Sequence, residues 1–369
     1  MVTPEGVGDL VFLLPTLRAL KESLPAARIQ LSVSAVQKHL AATIEGNLVE
    51  VVSTYRHGSG FGQLTHLVDA VRRFAPDLYL ELEGGFRYGV VGLLSSAARR
   101  IHPPREQTRR YAAWIHPETF PFNPSRHRVD TLLALLDRLG IRRTRTSFEF
   151  DIPDQYREKA DAIARQYIPP GSIALIPTSG HKPKDWPDES LQETVNILSR
   201  DLGRTVVILG KEQRPVRVNN AIDLGDVTDF LTDACLLRYS GVFDVAVGVD
   251  TGMMQIAGSI SSDPYGSYDR VVGNKTVSLF GPTDPAMYRP YDPTRLFNLV
   301  VTPKTKSRAM GTKGYAGDRF ERAYMKEIAA REIVDRVSQQ LTARGHERRL
   351  KISEGIGSDA GDQLELPAT

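Results

Sequence analysis

The sequence predicts an α/β protein made of two similar parallel-sheet domains that face one another. Three observations carry this. Short apolar runs alternate with amphipathic helical segments, and the alternation restarts after a polar break at residues 140–155. The chain has 369 residues, the length of two ordinary domains. Each half also places a glycine turn and an aspartate ahead of a helix: Gly6-Val7-Gly8-Asp9 in the first, Gly248-Val249-Asp250-Thr251-Gly252 in the second. In paired sheets of this kind, ligands sit at the C-terminal strand edges.

In the first half, Leu10, Leu13, Leu14, Leu17 and Leu20 recur at helical spacing. Pro15 lies inside that pattern and is expected to kink or restart the helix. A strand normally feeds such a glycine turn, yet almost nothing precedes Thr3, so the opening strand is expected to be very short or missing. Residues 28–34, 49–53 and 77–82 read as strands, and 64–74, 87–98 and 129–139 as helices. Residues 99–127, rich in Arg, Pro and His, read as loop.

The second half opens with a helix at 156–167 and a strand at 172–176. The loop 177–187 leads to a helix at 188–202 whose start carries Asp188 and Glu189, favourable at a helix N-terminus. A strand at 205–209 exits through Gly210-Lys211-Glu212, and a helix spans 227–240. The apolar runs 242–249 and 276–280 read as buried strands, with a helix opening at Asp250-Thr251-Gly252 between them. Residues 331–344 form an amphipathic closing helix. The domains are accordingly drawn as 1–150 and 151–345, with the stretch 326–345 able to return to the first domain. The tail 346–369 is small, polar and unpatterned, and reads as disordered.

Composition narrows the function. An apolar content of 41% with 25% charged residues is ordinary for a globular protein, and a net charge of +3 is too small to argue for nucleic acid. Basic residues cluster in the first half (Arg99, Arg100, Arg105, Arg109, Arg110, Arg126, Arg128, Arg138, Arg142, Arg143, Arg145), which fits either a solvated face or a site for an anionic acceptor or membrane surface. The single cysteine, Cys235, excludes a disulfide framework and a cysteine-built metal site, and its apolar helical setting reads as core. No apolar run reaches the ~20 residues that span a bilayer, and the polar opening MVTPEGVGD does not read as a signal peptide. The expected location is the cytoplasm, with any membrane contact peripheral and at its inner face.

Four loops converge on the expected cleft. Asp9 at its mouth can take a proton from a hydroxyl nucleophile. The stretch Pro177-Thr178-Ser179-Gly180-His181-Lys182-Pro183-Lys184-Asp185-Trp186-Pro187 offers hydroxyls and lysines that suit a phosphate, with Trp186-Pro187 bracing the loop. Gly210 lets a flat base approach the backbone, and Glu212 can hydrogen-bond ribose hydroxyls. The start of the helix after Asp250 can receive a pyrophosphate. For Asp9, Asp250 and Thr251 the same spacing fits a plain helix cap, and for an exposed lysine a solvated charge; the residues alone leave both readings open. There is no glycine-rich dinucleotide fingerprint or P-loop, and no Asp-x-Asp or histidine pair at metal spacing, so no metal or cofactor is expected.

Taken together these stretches resemble a known family. GVGDLVFLLPTLRALKESLP, LELEGGFRYG, ALIPTSGHKPKDWPDESL, VVILGKE, GVDTGMMQIAG with VSLFGPTDPAMYRPYD, and RAYMKEIAAREIVDRV are similar, in order and spacing, to the motifs of the bacterial heptosyltransferases of glycosyltransferase family 9. The resemblance implies a GT-B fold: two facing Rossmann-like domains with a central cleft and a closing helix, acceptor on the first domain and nucleotide-sugar on the second. It implies inverting, metal-independent transfer from ADP-heptose, the ADP-sugar being a co-substrate. It assigns Asp9 as general base, Lys184 to the departing diphosphate and Thr178 and Ser179 to the pyrophosphate. Gly210 and Glu212 fall to the nucleoside, Asp250 to sugar hydroxyls, Thr251 and Gly252 to phosphate, and Gly8, Glu83 and Arg87 to the acceptor side. Gln255 stands where the family usually has His, so its donor contact is expected to differ, and 261–275 is longer than the family's short turn. The acceptor is expected to be lipopolysaccharide core or a small natural-product molecule. A sugar-nucleotide epimerase or hydrolase, or a non-catalytic nucleotide-sugar-binding protein, remain alternatives on the same architecture.

Overall fold

The computed structural model describes residues 1–4, 6–55, 61–82, 86–103, 118–120, 123, 125–141, 145–214, 216, 221–262, 275–303 and 324–343. Glu83, Arg105, Arg109, Arg110, Arg142 and Arg143, most of the 261–275 insertion and the 346–369 tail lie outside the described residues.

The first sheet is parallel. β1 (Gln30–Ser34) pairs with β2 (Val51–Tyr55), and β3 (Leu78–Leu80) with β4 (Arg99–His102), which pairs with β5 (Glu118–Thr119). The opening residues join these two pieces. Val2 bridges both Ser32 and Glu81, with its N–H on the Leu80 carbonyl at 2.9 Å and the Thr3 N–H on the Ser32 carbonyl at 3.0 Å. The opening strand is therefore present and very short. β4 and β5 correct the loop expected at 99–127. In β4 only Ile101 and His102 are buried, so it shows no apolar run that could be read.

α1 (Val7–Ser23) runs through Pro15 without a break. Proline removes one hydrogen bond and costs about 3 kcal/mol inside a helix. Here Leu10, Leu13, Leu14 and Leu17 are fully buried around it, and each contributes about 1.5–3 kcal/mol, which outweighs the break. α2 (Lys38–Ala42), α3 (Phe61–Phe74), α4 (Phe86–Leu94) and α5 (Arg128–Arg138) complete this half.

The second sheet has six parallel strands in the order β11-β10-β9-β6-β7-β8. Its centre, β9 (Phe243–Val249) and β6 (Ser172–Ile176), is buried throughout, as expected of strands covered on both faces. β7 (Val206–Ile208) and β10 (Lys275–Leu279) flank them. The edges, β8 (Ala221–Asp223) and β11 (Asn298–Val301), were not legible as strands because they are short and partly exposed. α7 (Asp188–Asp201) covers one face together with α11 (Ala330–Thr342), whose Ile333, Val334 and Val337 pack with Val245, Val247 and Val277. The closing helix thus packs on the second sheet. α6 (Asp154–Tyr167), α8 (Phe230–Arg238) and α9 (Gly252–Gly258) cover the other face, which runs on into α1 and α5 as one continuous apolar core. Cys235 is buried there, in α8.

A polar latch crosses this seam. His127 caps α5: its Nδ1 accepts the Val129 N–H, so Nε2 carries the proton and donates to the Arg289 carbonyl at 2.7 Å. Beside it the Tyr291 hydroxyl, beyond α10 (Pro285–Tyr288), donates to Asp130 at 3.0 Å. Burial pushes the imidazole pKa down to about 4. A depressed histidine contributes stability above its unfolded pKa of about 6.5, and that stability is lost as pH falls toward 4. The expected loss over this window is on the order of 3 kcal/mol. Urea unfolding from pH 7 to pH 4 should show it, and His127→Gln should flatten the curve.

Candidate active site

The two domains touch where α1 and α9 begin. A Cβ on Gly252 would lie 2.6 Å from Val7 Cβ and 2.8 Å from the Gly8 amide nitrogen, whereas one on Gly8 would press on the Gln255 Cγ at 3.2 Å and touch the Gly252 Cα at an ordinary 3.6 Å. The glycines let two helix starts approach as bare backbone. Gly252→Ala should therefore push the two helix starts apart and lower the melting temperature, because backbone blocks it. Gly8→Ala meets a less severe overlap and should cost less. Thermal unfolding of both variants gives the order.

Asp9 stands in the first turn of α1, and its carboxylate accepts the Gly6 N–H at 3.2 Å. Burial raises its pKa. Arg128 and Lys184, the nearby cations, and the Gly6 N–H pull it back, while Asp250 adds to the rise. Burial makes it a better proton acceptor than a surface aspartate, and the two cations oppose part of that rise, which suits a general base.

Arg128 was visible in the sequence only as one of the basic cluster. It is buried, and its Nη2 donates to the Leu82 carbonyl at 2.6 Å, so its charge is fixed beside Asp9. The sequence held one signal: Arg128, Leu132 and Leu135 share one face of α5, so the arginine lies on the helix's apolar stripe.

Across the seam, Lys184 ends a 3₁₀ turn (Lys182–Lys184), and its Nζ meets Asp250 Oδ2 at 2.7 Å. The Thr283 hydroxyl donates to the same oxygen at 2.7 Å. Both charged side chains are largely buried, at 15% and 9% exposure, so the pair is held in place instead of being a solvated surface contact. Thr283 lies inside the GPTDP motif but was assigned nothing there. The capping alternative is realised at Asp9, whose carboxylate takes the N-cap Gly6 N–H, but not at Asp250, which is engaged with Lys184, nor at Thr251, which makes no side-chain cap bond at the N-cap of α9. α9 has seven residues, so its dipole is small, and Lys184 is the stronger positive charge beside it.

The neighbouring strand edge carries the other loop residues. Gly210 has φ +137°, which excludes a side chain, and a Cβ there would lie 3.0 Å from the Thr178 hydroxyl. Ser179 is folded into its own loop: its hydroxyl donates to the His181 carbonyl at 2.7 Å and its N–H to Asp185 at 2.7 Å. Its side chain thus shapes the turn. Trp186 braces the loop as expected, buried and with its N–H on the Pro177 carbonyl at 2.9 Å. The Glu212 side chain is exposed. Gln255 is buried, and its Nε2 donates to the Tyr288 carbonyl at 2.5 Å, tying α9 to α10. Arg87 is exposed in the first turn of α4.

Among the described residues no three His, Cys, Asp or Glu side chains gather to hold a metal ion, and no helix is long and apolar enough to cross a membrane. The site collects two carboxylates, Asp9 and Asp250, with two cations, Arg128 and Lys184, at a seam between two sheets.

Comparison with known proteins gives the family and the fold. The family model for glycosyltransferase family 9 (heptosyltransferase) matches residues 65–314. No curated protein matches the chain. Among solved structures, the family 9 glycosyl transferase of Veillonella parvula superposes with a TM-score of 0.68 at 15% identity, over 93% of this chain and 96% of that one. The E. coli ADP-heptose lps heptosyltransferase II gives 0.65 at 15% identity, over 93% and 98%. E. coli heptosyltransferase WaaC, solved with ADP, gives 0.61 at 14% identity, over 92% and 98%. At these identities the likeness shows the fold, GT-B, and the family match shows the rest: the chain belongs to glycosyltransferase family 9, the heptosyltransferase family, and is a glycosyltransferase.

Proposed function

We propose that the protein is an inverting, metal-independent transferase that moves heptose from ADP-heptose to an acceptor hydroxyl. The observation that carries this is Asp9 facing the Lys184–Asp250 pair across the domain seam. The acceptor oxygen attacks the anomeric carbon from the face opposite the diphosphate and passes its proton to Asp9. The bond from that carbon to the phosphate oxygen breaks, and ADP leaves with the electron pair. Lys184 stabilises the departing charge, in the role a metal ion would otherwise play. Thr178 and the backbone at Thr251 and Gly252 receive the pyrophosphate, and Ser179 shapes the loop beneath it. Gly210 and Glu212 take the nucleoside, and Asp250 and Gln255 face the sugar. Gly8, Glu83 and Arg87 face the acceptor. The adenine assignment draws support from WaaC, which is described with ADP and with ADP-2-deoxy-2-fluoro heptose.

The acceptor is proposed to be a phosphorylated glycolipid core presented at the inner face of the cytoplasmic membrane, met peripherally by the first-half arginines. Residues 1–150 are taken as the acceptor domain and the following residues as the donor domain.

A thermal-shift screen of ADP-, UDP-, GDP- and dTDP-sugars tests the donor, since a ligand that binds only the folded state stabilises it. ADP-sugars should raise the melting temperature most. A clear UDP- or GDP-sugar shift with none from ADP-sugars would remove the heptose assignment. Turnover should survive EDTA. Release of free heptose, or of an isomerised sugar nucleotide, without acceptor would replace transfer by hydrolysis or epimerisation.

A further inference from the structure

Asp233 takes no part in the reaction above, yet it is a buried acid in the first turn of α8, only 3% exposed. It is not needed to cap that helix. Asp229 does so, accepting the Thr232 N–H at 2.9 Å. The Asp233 carboxylate instead accepts the Thr228 hydroxyl, and the Gly210 N–H lies close enough to lower its pKa. Gly210 opens the turn that carries Glu212. The same turn is held from the other side, where the Asp226 N–H meets the Gly210 carbonyl at 3.0 Å, and a Cβ on Gly225 would come within 2.3 Å of the Glu212 carbonyl. The nucleoside loop is thus seated directly on residues 224–233.

Building on the donor reading above, we propose that Asp233 is a positioning residue for the nucleoside diphosphate. Ionised, it takes the Thr228 hydroxyl, attracts the Gly210 amide and keeps the 224–228 turn, whose Asp226 N–H is bonded to the Gly210 carbonyl, in the shape that seats the 210–212 turn; protonated, it loosens that seat and donor binding weakens. The chemistry follows from the partners. A protonated carboxyl gives its O–H to the Thr228 oxygen and presents only a neutral carbonyl toward Gly210, in place of a full charge.

The proton exchanges in a useful range, because burial raises the Asp233 pKa to about 7, with Asp229 adding to the rise and Thr228, the Gly210 N–H and Lys159 opposing it. Lys159 of α6 and Asp229 are themselves paired at 2.9 Å. The other elements on α8 bring Arg157 and Asp161 from α6, and Lys38 and His39 from α2, while α9 carries no charged residue. A carboxylate with a raised folded pKa costs no stability below its unfolded pKa of about 3.9, and costs most once the pH exceeds the folded value.

Asp233→Asn reproduces the protonated form, since its amide donates to Thr228 while only a neutral carbonyl is presented toward Gly210. Titration calorimetry of the full chain with ADP-ribose, whose pyrophosphate does not titrate near neutrality, tests the proposal at pH 6 and pH 8. The wild type should bind about fivefold more tightly at pH 8. The variant should bind at the weaker level at both pH values, with a melting temperature at pH 8 no lower than that of the wild type. A variant that follows the wild-type pH dependence, or one that loses binding together with thermal stability, would overturn the proposal. Should neither protein bind ADP-ribose, the same titration with UDP-glucose and GDP-glucose separates the two readings. Binding with the same pH dependence keeps the role of Asp233 and removes the adenine assignment, while no binding overturns both.

Discussion

Asp9→Asn is expected to lower kcat by about 10³-fold, within the 10²–10⁴ range that a general base supplies, and to leave ADP affinity near the wild-type value. The substitution is nearly isosteric. The Asn carbonyl still accepts the Gly6 N–H that the carboxylate now takes at 3.2 Å, so the start of α1 keeps its shape. What disappears is the proton acceptor. Burial raises the Asp9 pKa, so the acid limb of the wild-type rate profile should lie above the range of an ordinary aspartate. Below that limb the carboxyl is protonated and the rate falls; above it the rate is flat. The variant should show no such limb. Initial rates across pH, with ADP release as the readout, decide the matter, and full activity in Asp9→Asn would place the base elsewhere.

Lys184→Ala is expected to reduce kcat/KM by about 10²–10³-fold, the cost of removing one donor from a developing anion in a partly dry site. It should also destabilise the fold, because Asp250 then remains buried without its cation. Breaking such a pair typically costs about 3–5 kcal/mol, and the 15% exposure of Lys184 argues for the lower end. The two effects separate in the double variant Lys184→Ala with Asp250→Ala. Removing both charges should restore much of the stability and none of the activity. Urea unfolding and steady-state kinetics on the three variants measure this. Recovery of activity along with stability would make the pair a structural feature only.

The parts of this protein that were readable ahead of its structure share one property: their signal is local. β6 and β9 are buried on both faces and appear as continuous apolar runs, and α5 and α7 repeat at helical spacing. Asp9, Lys184, Gly210 and Asp250 lie in stretches whose order is recognisable. The unread elements lack such a signal. β5 and β8 have two and three residues, β4 and β11 four each. These short pieces become strands only because a formed neighbour offers its free backbone groups. Pro15 misled for a related reason: local chemistry disfavours it in a helix, and only the surrounding core reverses the balance.

The sequence by itself determined the two-sheet α/β plan and the loops that bear chemistry, because hydrophobic periodicity and turn residues act within a few positions along the chain. Tertiary structure alone decided which of those loops meet. Arg128 comes beside Asp9 from α5, Thr283 reaches Asp250 from 33 residues away, and Asp233 holds Thr228 in the turn that meets Gly210. Each effect works through space at a few ångströms, between positions far apart in the chain. Such contacts exist only after the core between α1, α5, α8 and α9 has closed and Gly8 and Gly252 have brought the two domains together.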